Sequence, residues 1–235
     1  MKVLAVDTST VIATCAVMEE EKMLGEYSLD QKMSHSENLV PMIKEVLDSL
    51  KLKVSDIDLF AVAIGPGSFT GLRIGIATIK ALAHVYNKPV VGVSTLEALA
   101  FNLSFNGLIV PIIDARRDRV YTGIYKWEEG ILKNIMEPTV MEIDSLLDIL
   151  IKEEDPIMMN GNGIFLHRQH IKDKLGDKVY FAKNIHNSCR ALSVAELALQ
   201  KKDKIEGTNY YNLVPEYLRE SQAQRELKKK ESEAQ

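Results

Sequence analysis

The segment Gly65-Pro66-Gly67-Ser68-Phe69-Thr70-Gly71-Leu72-Arg73-Ile74-Gly75 follows the apolar run Leu59 to Ile64 and leads into a small-residue helical pattern. A turn of this kind at a helix N-terminus offers free N–H groups and a favourable dipole to an anion. Its spacing is neither a Walker A loop, because no Lys-Ser/Thr follows, nor a G-x-G-x-x-G fingerprint. Two further apolar runs end in acids, in Asp7-Thr8-Ser9-Thr10 and Asp114-Ala115-Arg116-Arg117-Asp118. Both turns lack glycine, so their backbones approach a phosphate less freely. Arg116 and Arg117 would pair with phosphate or with a partner's carboxylates. Asn160-Gly161-Asn162-Gly163 would pass under an adenine ring, and a plain strand-to-helix turn explains it equally well.

Beyond the turn, Gly71 and Gly75 lie one helical turn apart, and Ala77, Thr78 and Ala81 keep the neighbouring surface small. Each glycine costs a helix about 0.8–1 kcal/mol relative to alanine, so the pair implies another backbone close by. Beside Leu72, Ile76, Ile79 and Leu82 this predicts a tight contact with a partner helix, with packing on the chain's own sheet as the alternative. Arg73, on the same helix, would pair across that interface, meet a nucleotide or stay solvated.

Composition limits the remaining classes. Of the 235 residues 46% are hydrophobic and 26% charged, as in ordinary globular proteins. A net charge of −4 argues against a nucleic-acid surface that works alone. The basic run Lys228-Lys229-Lys230 sits among acids in residues 221–235, which read as a frayed or disordered charged tail. Cys15 and Cys189 have no metal or redox spacing, and neither a signal peptide nor a membrane span is evident, so a cytoplasmic protein is expected.

Patterning predicts the elements that position these residues. Strands are expected at Val3–Val6, Ala13–Met18, Met23–Leu29, Leu59–Ile64 and Val90–Val93, with helices at Ser36–Leu50, Thr70–Val85 and Thr95–Phe101. Ser34 and Glu37 fit a capping box, but Pro41 would then fall inside the first helix, which must start late or kink. The second half repeats the order, with strands at Leu108–Ile113, Arg119–Lys126, Ile131–Val140, Ile157–Met159 and Val179–Ala182. Its helices are expected at Asp144–Lys152, Ile164–Leu175 and Ser193–Lys201, the last with a Ser193–Glu196 capping box. Two βββαβαβα lobes follow, residues 1–106 and 107–220, and the duplication resembles the ribonuclease-H-like, actin-like ATPase fold shared with the sugar kinases. In those ATPases an acid ending the first strand handles the metal and the next turn meets phosphate. Asp7 and Thr8 would stand there, with Gly65, Gly67, Arg73, Asp114, Gly161 and Gly163 as weak nucleotide candidates.

The strings AIGPGSFTGLRIGIATIKALA, LAVDTST, HSENLVP, GVSTLEALA and DARRDRVYTGIY are similar to the TsaB (YeaZ-like) family of bacteria. The resemblance covers about the first 125 residues and returns at Pro215-Glu216-Tyr217-Leu218-Arg219. It implies a non-catalytic partner of a TsaD-like protein. With TsaD and the ATPase TsaE, that family helps make N6-threonylcarbamoyladenosine at position 37 of tRNAs that read codons starting with A. The catalytic paralogue carries a metal-binding histidine pair one turn apart, where this chain has Thr95 and Leu99. Leucine cannot ligate a metal and neutral threonine is a poor ligand, so no metal site is expected there. His35 and His84 lack a second ligand at a helical interval, and His167 and His170 fit a surface helix.

The implied docking face joins the first two helices into one side of a four-helix bundle, through Leu39, Ile43, Leu47, Gly71, Leu72, Gly75, Ile76, Ile79 and Leu82. The resemblance further implies no intrinsic cofactor, ATP or ADP only in the assembled complex, tRNA contact only through that complex, and a homodimer when the chain is alone. Two other classes stay open: a free-standing actin-like ATPase or sugar kinase, and a glycoprotease-like metallopeptidase.

Overall fold

A computed structural model describes residues 1–20, 22–30, 35–201 and 210–219. The first half runs β1 (Lys2–Asp7), β2 (Ile12–Glu19), β3 (Lys22–Asp30), α1 (His35–Ser49), β4 (Leu59–Gly65), α2 (Phe69–Tyr86), β5 (Val90–Ser94) and α3 (Thr95–Phe101). The second half repeats this as β6 (Leu108–Asp114), β7 (Arg119–Glu128), β8 (Ile131–Glu142), α4 (Ile143–Leu150), β9 (Ile157–Asn160), α5 (Ile164–Leu175), β10 (Val179–Phe181) and α6 (Ala191–Gln200). The sheets have the matching orders β3-β2-β1-β4-β5 and β8-β7-β6-β9-β10. Within each, the opening meander is antiparallel and the later strands add in parallel. The duplicated α/β fold expected from the sequence is therefore present.

The central strands are apolar on both faces because both faces are covered. Leu4 and Val6 of β1 pack under α1 and α2 with Leu39, Ile43, Ile76 and Ile79. Val3 and Ala5 point the other way, into a core with Leu96 and Leu99 of α3 and Val194 and Ala198 of α6. That core also takes Ile109 and Ile113 of β6, whereas Leu108, Val110 and Ile112 face α4 and α5. The result is five layers, helix–sheet–helix–sheet–helix, with α3 and α6 shared between the sheets.

This sharing crosses the sequence midpoint. The strands divide between residues 106 and 107, but α6 packs on β1 and β2 of the first sheet. Arg190, just before α6, donates to Glu26 of β3 through Nε at 3.1 Å. Residues 210–219 also return to the first half, where the Glu216 N–H donates to the Ile64 carbonyl at 2.7 Å. The expected frayed tail, 221–235, lies outside the described residues, as does Ser34 of the first capping box.

Two local expectations change. Helix α1 begins at His35 and continues past Pro41, so it does not start late, and Pro41 lies on its exposed side. Helix α6 starts at Ala191 rather than Ser193, and Arg190 stands at its N-cap without a side-chain bond. Ser193 therefore makes no capping box; its hydroxyl donates to Asn102 Oδ1 at 2.5 Å and ties α6 to the end of α3. Among the described residues no helix is long and apolar enough to cross a membrane.

Because α6 covers the inner face of the first sheet, residues 1–106 expressed alone should expose Val3, Ala5, Leu59 and Ala61 and fail to fold cooperatively. Thermal melts with dye binding check this, and a sharp two-state transition of the fragment would contradict the shared layer.

Candidate functional site

The glycine segment is explained by what lies against it. Strand β4 ends at Gly65, whose φ of +125° leads through a cis Gly65–Pro66 peptide into the turn before α2. A methyl group on Gly67 would lie 2.4 Å from the Ser9 carbonyl oxygen, and one on Gly71 only 1.9 Å from that of Thr8. On Gly75 it would meet Thr8 Oγ1 at 2.5 Å. The β1–β2 turn thus sits directly on the start of α2. Ser68 N–H donates to the Ser9 carbonyl at 2.7 Å, and the Thr8 hydroxyl donates to the Gly71 carbonyl at 2.7 Å. Ser68 caps the helix by accepting from Gly71 N–H at 3.3 Å, and His35 Nε2 reaches the Thr10 carbonyl at 2.7 Å.

This corrects the reading of Gly71 and Gly75 as a smooth face for a partner helix. The approaching backbone is the chain's own. Leu39, Leu72, Ile76 and Ile79 are likewise buried on the first sheet's side, by packing within the chain. Ile43, Leu47 and half-buried Leu82 differ, because they also line an outward groove of about 260 Å³ between α1 and α2. Val40, Leu52 and Val54 complete its apolar lining, with Lys44, Asp48 and Lys53 at the rim. Val40 is 58% exposed, and Val85 near the end of α2 is 72% exposed.

Asp7 does not line a cleft. It is fully buried, its Oδ1 accepts from Ser9 N–H at 2.9 Å, and its Oδ2 has no hydrogen-bond partner among the described residues. Burial pushes its carboxyl up to about 6, opposed by the Ser9 amide and the neighbouring Cys189 thiol. Burial also pushes the Cys189 thiol up, reinforced by the Asp7 charge. An acid sealed in this way cannot reach a metal held between the lobes, so the expected metal-handling place of Asp7 is lost. Thr8 is equally buried and committed to Gly71.

The cleft between the halves is a cavity of about 520 Å³. Ser9, His35, Ser68 and Thr70 line one side, Asp114, Arg116, Tyr121 and Asn162 the other, and Arg219 reaches in from the C-terminal segment. Asp114 Oδ1 accepts from Arg116 N–H at 2.7 Å, and Asp114 N–H donates to Asn162 Oδ1 at 2.9 Å. The remaining glycine candidates face backbone. A methyl on Gly65 would lie 2.6 Å from the Glu216 carbonyl, on Gly161 2.2 Å from that of Ile112, and on Gly163 3.1 Å from the same oxygen. Of the weak nucleotide candidates, only Gly67 and Asp114 line the cavity.

Arg73 is also spoken for. Its Nε donates to the Tyr217 hydroxyl at 2.8 Å, its guanidinium lies 5.7 Å from that ring's centre, and Tyr217 stacks on Phe69 with centroids 4.5 Å apart. Lys80 Nζ donates to the carbonyls of Tyr211 and Leu213, and His84 Nδ1 bonds the Tyr210 hydroxyl at 2.7 Å. Arg219 closes the segment by donating to the Ala115 carbonyl. Sequence reasoning gave Pro215–Arg219 no structural role; the aromatic spacing Tyr210, Tyr211, Tyr217 was the available signal.

Thr95 and Leu99 lie buried in the middle layer. His170 bonds Asp144 Oδ1 at 2.7 Å, whereas His167 faces a separate shallow pocket. Among the described residues no three His, Cys, Asp or Glu side chains are grouped to hold a metal ion.

Two outcomes follow from the turn and its acid. Gly71→Ala should destabilise the protein by about 1–3 kcal/mol through overpacking, although alanine is the better helix former. A urea midpoint equal to or above that of the parent would contradict the close approach. Asp7 prefers its proton in the folded state, so its contribution is full below pH 4 and is lost as pH rises to about 6. The difference of about two pH units is worth about 3 kcal/mol. Asp7→Asn should therefore flatten the stability profile between pH 4 and 6 and raise the melting temperature relative to the parent above pH 6. An unchanged profile would contradict the burial of that charge.

Comparison with known proteins bears on the whole chain. Residues 22–227 match the family model described as TsaD, tRNA N6-adenosine threonylcarbamoyltransferase. The Bacillus subtilis tRNA threonylcarbamoyladenosine biosynthesis protein TsaB is 36% identical over 225 residues, 95% of this chain and 96% of that protein. The Escherichia coli protein of the same name is 34% identical over 55% of this chain and 57% of its own length. The structure of YeaZ from Pseudomonas aeruginosa superposes with a TM-score of 0.76 at 25% identity, over 92% of this chain and 99% of that one. Component A of the Acidaminococcus fermentans (R)-2-hydroxyglutaryl-CoA dehydratase, at 12% identity and a TM-score of 0.52 over 86% of this chain and 99% of that one, shares the fold alone. With near end-to-end identity above 30% to one TsaB and a YeaZ structure matching over almost its full length, this chain belongs to the TsaB (YeaZ-like) family.

Proposed function

We propose that this chain is a non-catalytic subunit of the machinery that forms N6-threonylcarbamoyladenosine in tRNA, where it binds and activates a TsaD-like catalytic protein. The observation that carries the non-catalytic part is the state of α3. Thr95 and Leu99, at the positions of the paralogue's histidine pair, are buried between the sheets, and neither side chain is a useful metal ligand. The β1–β2 turn supports the same reading, because Thr8 and Ser9 fill the space at the start of α2 that an open phosphate loop would need.

The α1–α2 groove is the docking face in this proposal. It is apolar, it is rimmed by charges of both signs, and it lies beside exposed Val40 and Val85. The TsaD-like protein would cover it in the working complex, and a second copy of this chain would cover it when the partner is missing. A TsaE-like ATPase completes the system, with ATP or ADP bound only in the assembly. The modified base is position 37 of tRNAs that read codons starting with A. All of this belongs in the cytoplasm.

The test is reconstitution with the TsaD-like and TsaE-like proteins of the same organism. Modification of tRNA should require this chain, and the isolated chain should not turn over ATP. Steady ATP turnover by the chain alone, or full modification without it, would overturn the proposal. Val40→Glu should weaken association with the TsaD-like protein by about tenfold or more and lower modification in step. Because Val40 is 58% exposed, its melting temperature should stay near that of the parent. Unaltered co-elution of the variant would place the interface elsewhere.

A further inference from the structure

The two halves are joined differently at the two ends of β6. At its start the chain passes directly from α3 into β6, and the Trp127 indole N–H of β7 donates to the Leu103 carbonyl at 2.7 Å. At its other end lies the cavity, with Ser9 and Ser68 on one side and Asp114 and Tyr121 on the other. With 7 residues, β6 separates these ends by roughly 20 Å. The covalent link therefore sits at one end, and the halves face each other across the cavity at the other.

Residues 210–219 bridge that second end. The first half holds them from Tyr210 to Tyr217. His84 bonds the Tyr210 hydroxyl, Lys80 donates to the carbonyls of Tyr211 and Leu213, and Arg73 donates to the Tyr217 hydroxyl. Leu213 packs into the core under α1 and α2, and the Glu216 N–H donates to the Ile64 carbonyl near the end of β4. Leu218 packs against the middle layer. Arg219 then crosses to the second half. It lines the cavity and donates through Nη1 to the carbonyl of Ala115, just before the β6–β7 turn. Ala115 is a firm anchor, buried and with its N–H on the Arg119 carbonyl at 2.9 Å. Arginine suits this place, because it stays protonated and a charged donor makes a stronger bond to a carbonyl than a neutral one.

We infer that residues 210–219 are a clasp that holds the cavity between the halves at one width, with Arg219 as its positioning residue. Its anchors on the first half lie largely on α2, so displacement of the segment from α2 withdraws Arg219 from the cavity wall. The surface of α2 and the mouth of the cavity are thereby coupled. The clasp is a property of the isolated chain and stands or falls separately from the docking of a partner.

Spin labels on Val11→Cys and Arg119→Cys report the opening. Val11 lines the first-half side of the cavity, Arg119 begins β7 beside the turn, both are exposed, and the native Cys15 and Cys189 are buried. Pulsed dipolar distance measurement on the full chain should give one narrow distribution. Arg219→Ala should broaden it toward longer distances. Tyr217→Ala should do the same, since it loosens the segment from Phe69 and Arg73 and leaves Arg219 itself in place. Arg219→Lys keeps a charged donor and should return most of the distribution to its parent width. The parent distribution in both alanine variants would overturn the clasp. Broadening by Arg219→Ala alone would overturn it too, because the segment would then transmit nothing. A lysine variant as broad as the alanine variant would remove the role of the donor. Loss of the cooperative thermal transition in either alanine variant would make the segment a core element and likewise overturn the inference.

Discussion

The contact on which this structure depends is between one turn and one helix start. Thr8 and Ser9 leave β1 and press on α2 at Gly67, Gly71 and Gly75, where no side chain fits. Two hydrogen bonds of 2.7 Å lock the approach, one from the Ser68 amide and one from the Thr8 hydroxyl. The glycines lower helix propensity, and the turn they admit offsets that by closing the first sheet under α2. The same contact also places Ser9, Gly67 and Ser68 together on one wall of the cavity between the halves.

Several other features are consequences. Because the turn packs back on the start of α2, Asp7 is fully buried beside Cys189 and stays outside the lining of the cavity between the halves. Because β1 is apolar on both faces, a second helix must cover its inner side, and α6 supplies it from the far end of the chain. The C-terminal segment then passes along α2, where Tyr217 takes up Arg73 and Phe69, and ends with Arg219 on the β6–β7 turn. The halves are thereby coupled twice, through a buried layer and through a surface strap.

Much of this was legible in the sequence. Apolar runs and helical spacing place the ten strands and six helices of the described residues in the right order, since the central strands bury both faces and leave strong hydrophobic signals. The small-residue stripe correctly signalled close approach, but spacing says nothing about whose backbone approaches. Spacing favours a partner helix at Gly71 and Gly75 and leaves packing within the chain as the alternative; Thr8, 63 positions before Gly71, decides for the alternative. Ser193 matched a capping pattern by residue type, yet contact with Asn102 three residues into the helix decides its bond. Arg73, Arg219 and the tyrosines form a site only through long-range contacts, which local pattern cannot show. The outward groove was half visible: Ile43, Leu47 and Leu82 were anticipated, while exposed Val40 was not.

The central claim is that the glycine stripe serves the chain's own turn and that a partner docks on the neighbouring groove. Amide hydrogen exchange of this chain, alone and with its TsaD-like partner, tests it most directly. The account predicts new protection across residues 40–54 and the exposed side of α2, with amides at Ser68 and Gly71 equally slow in both states. New protection confined to residues 67–75, with none at 40–54, would contradict it.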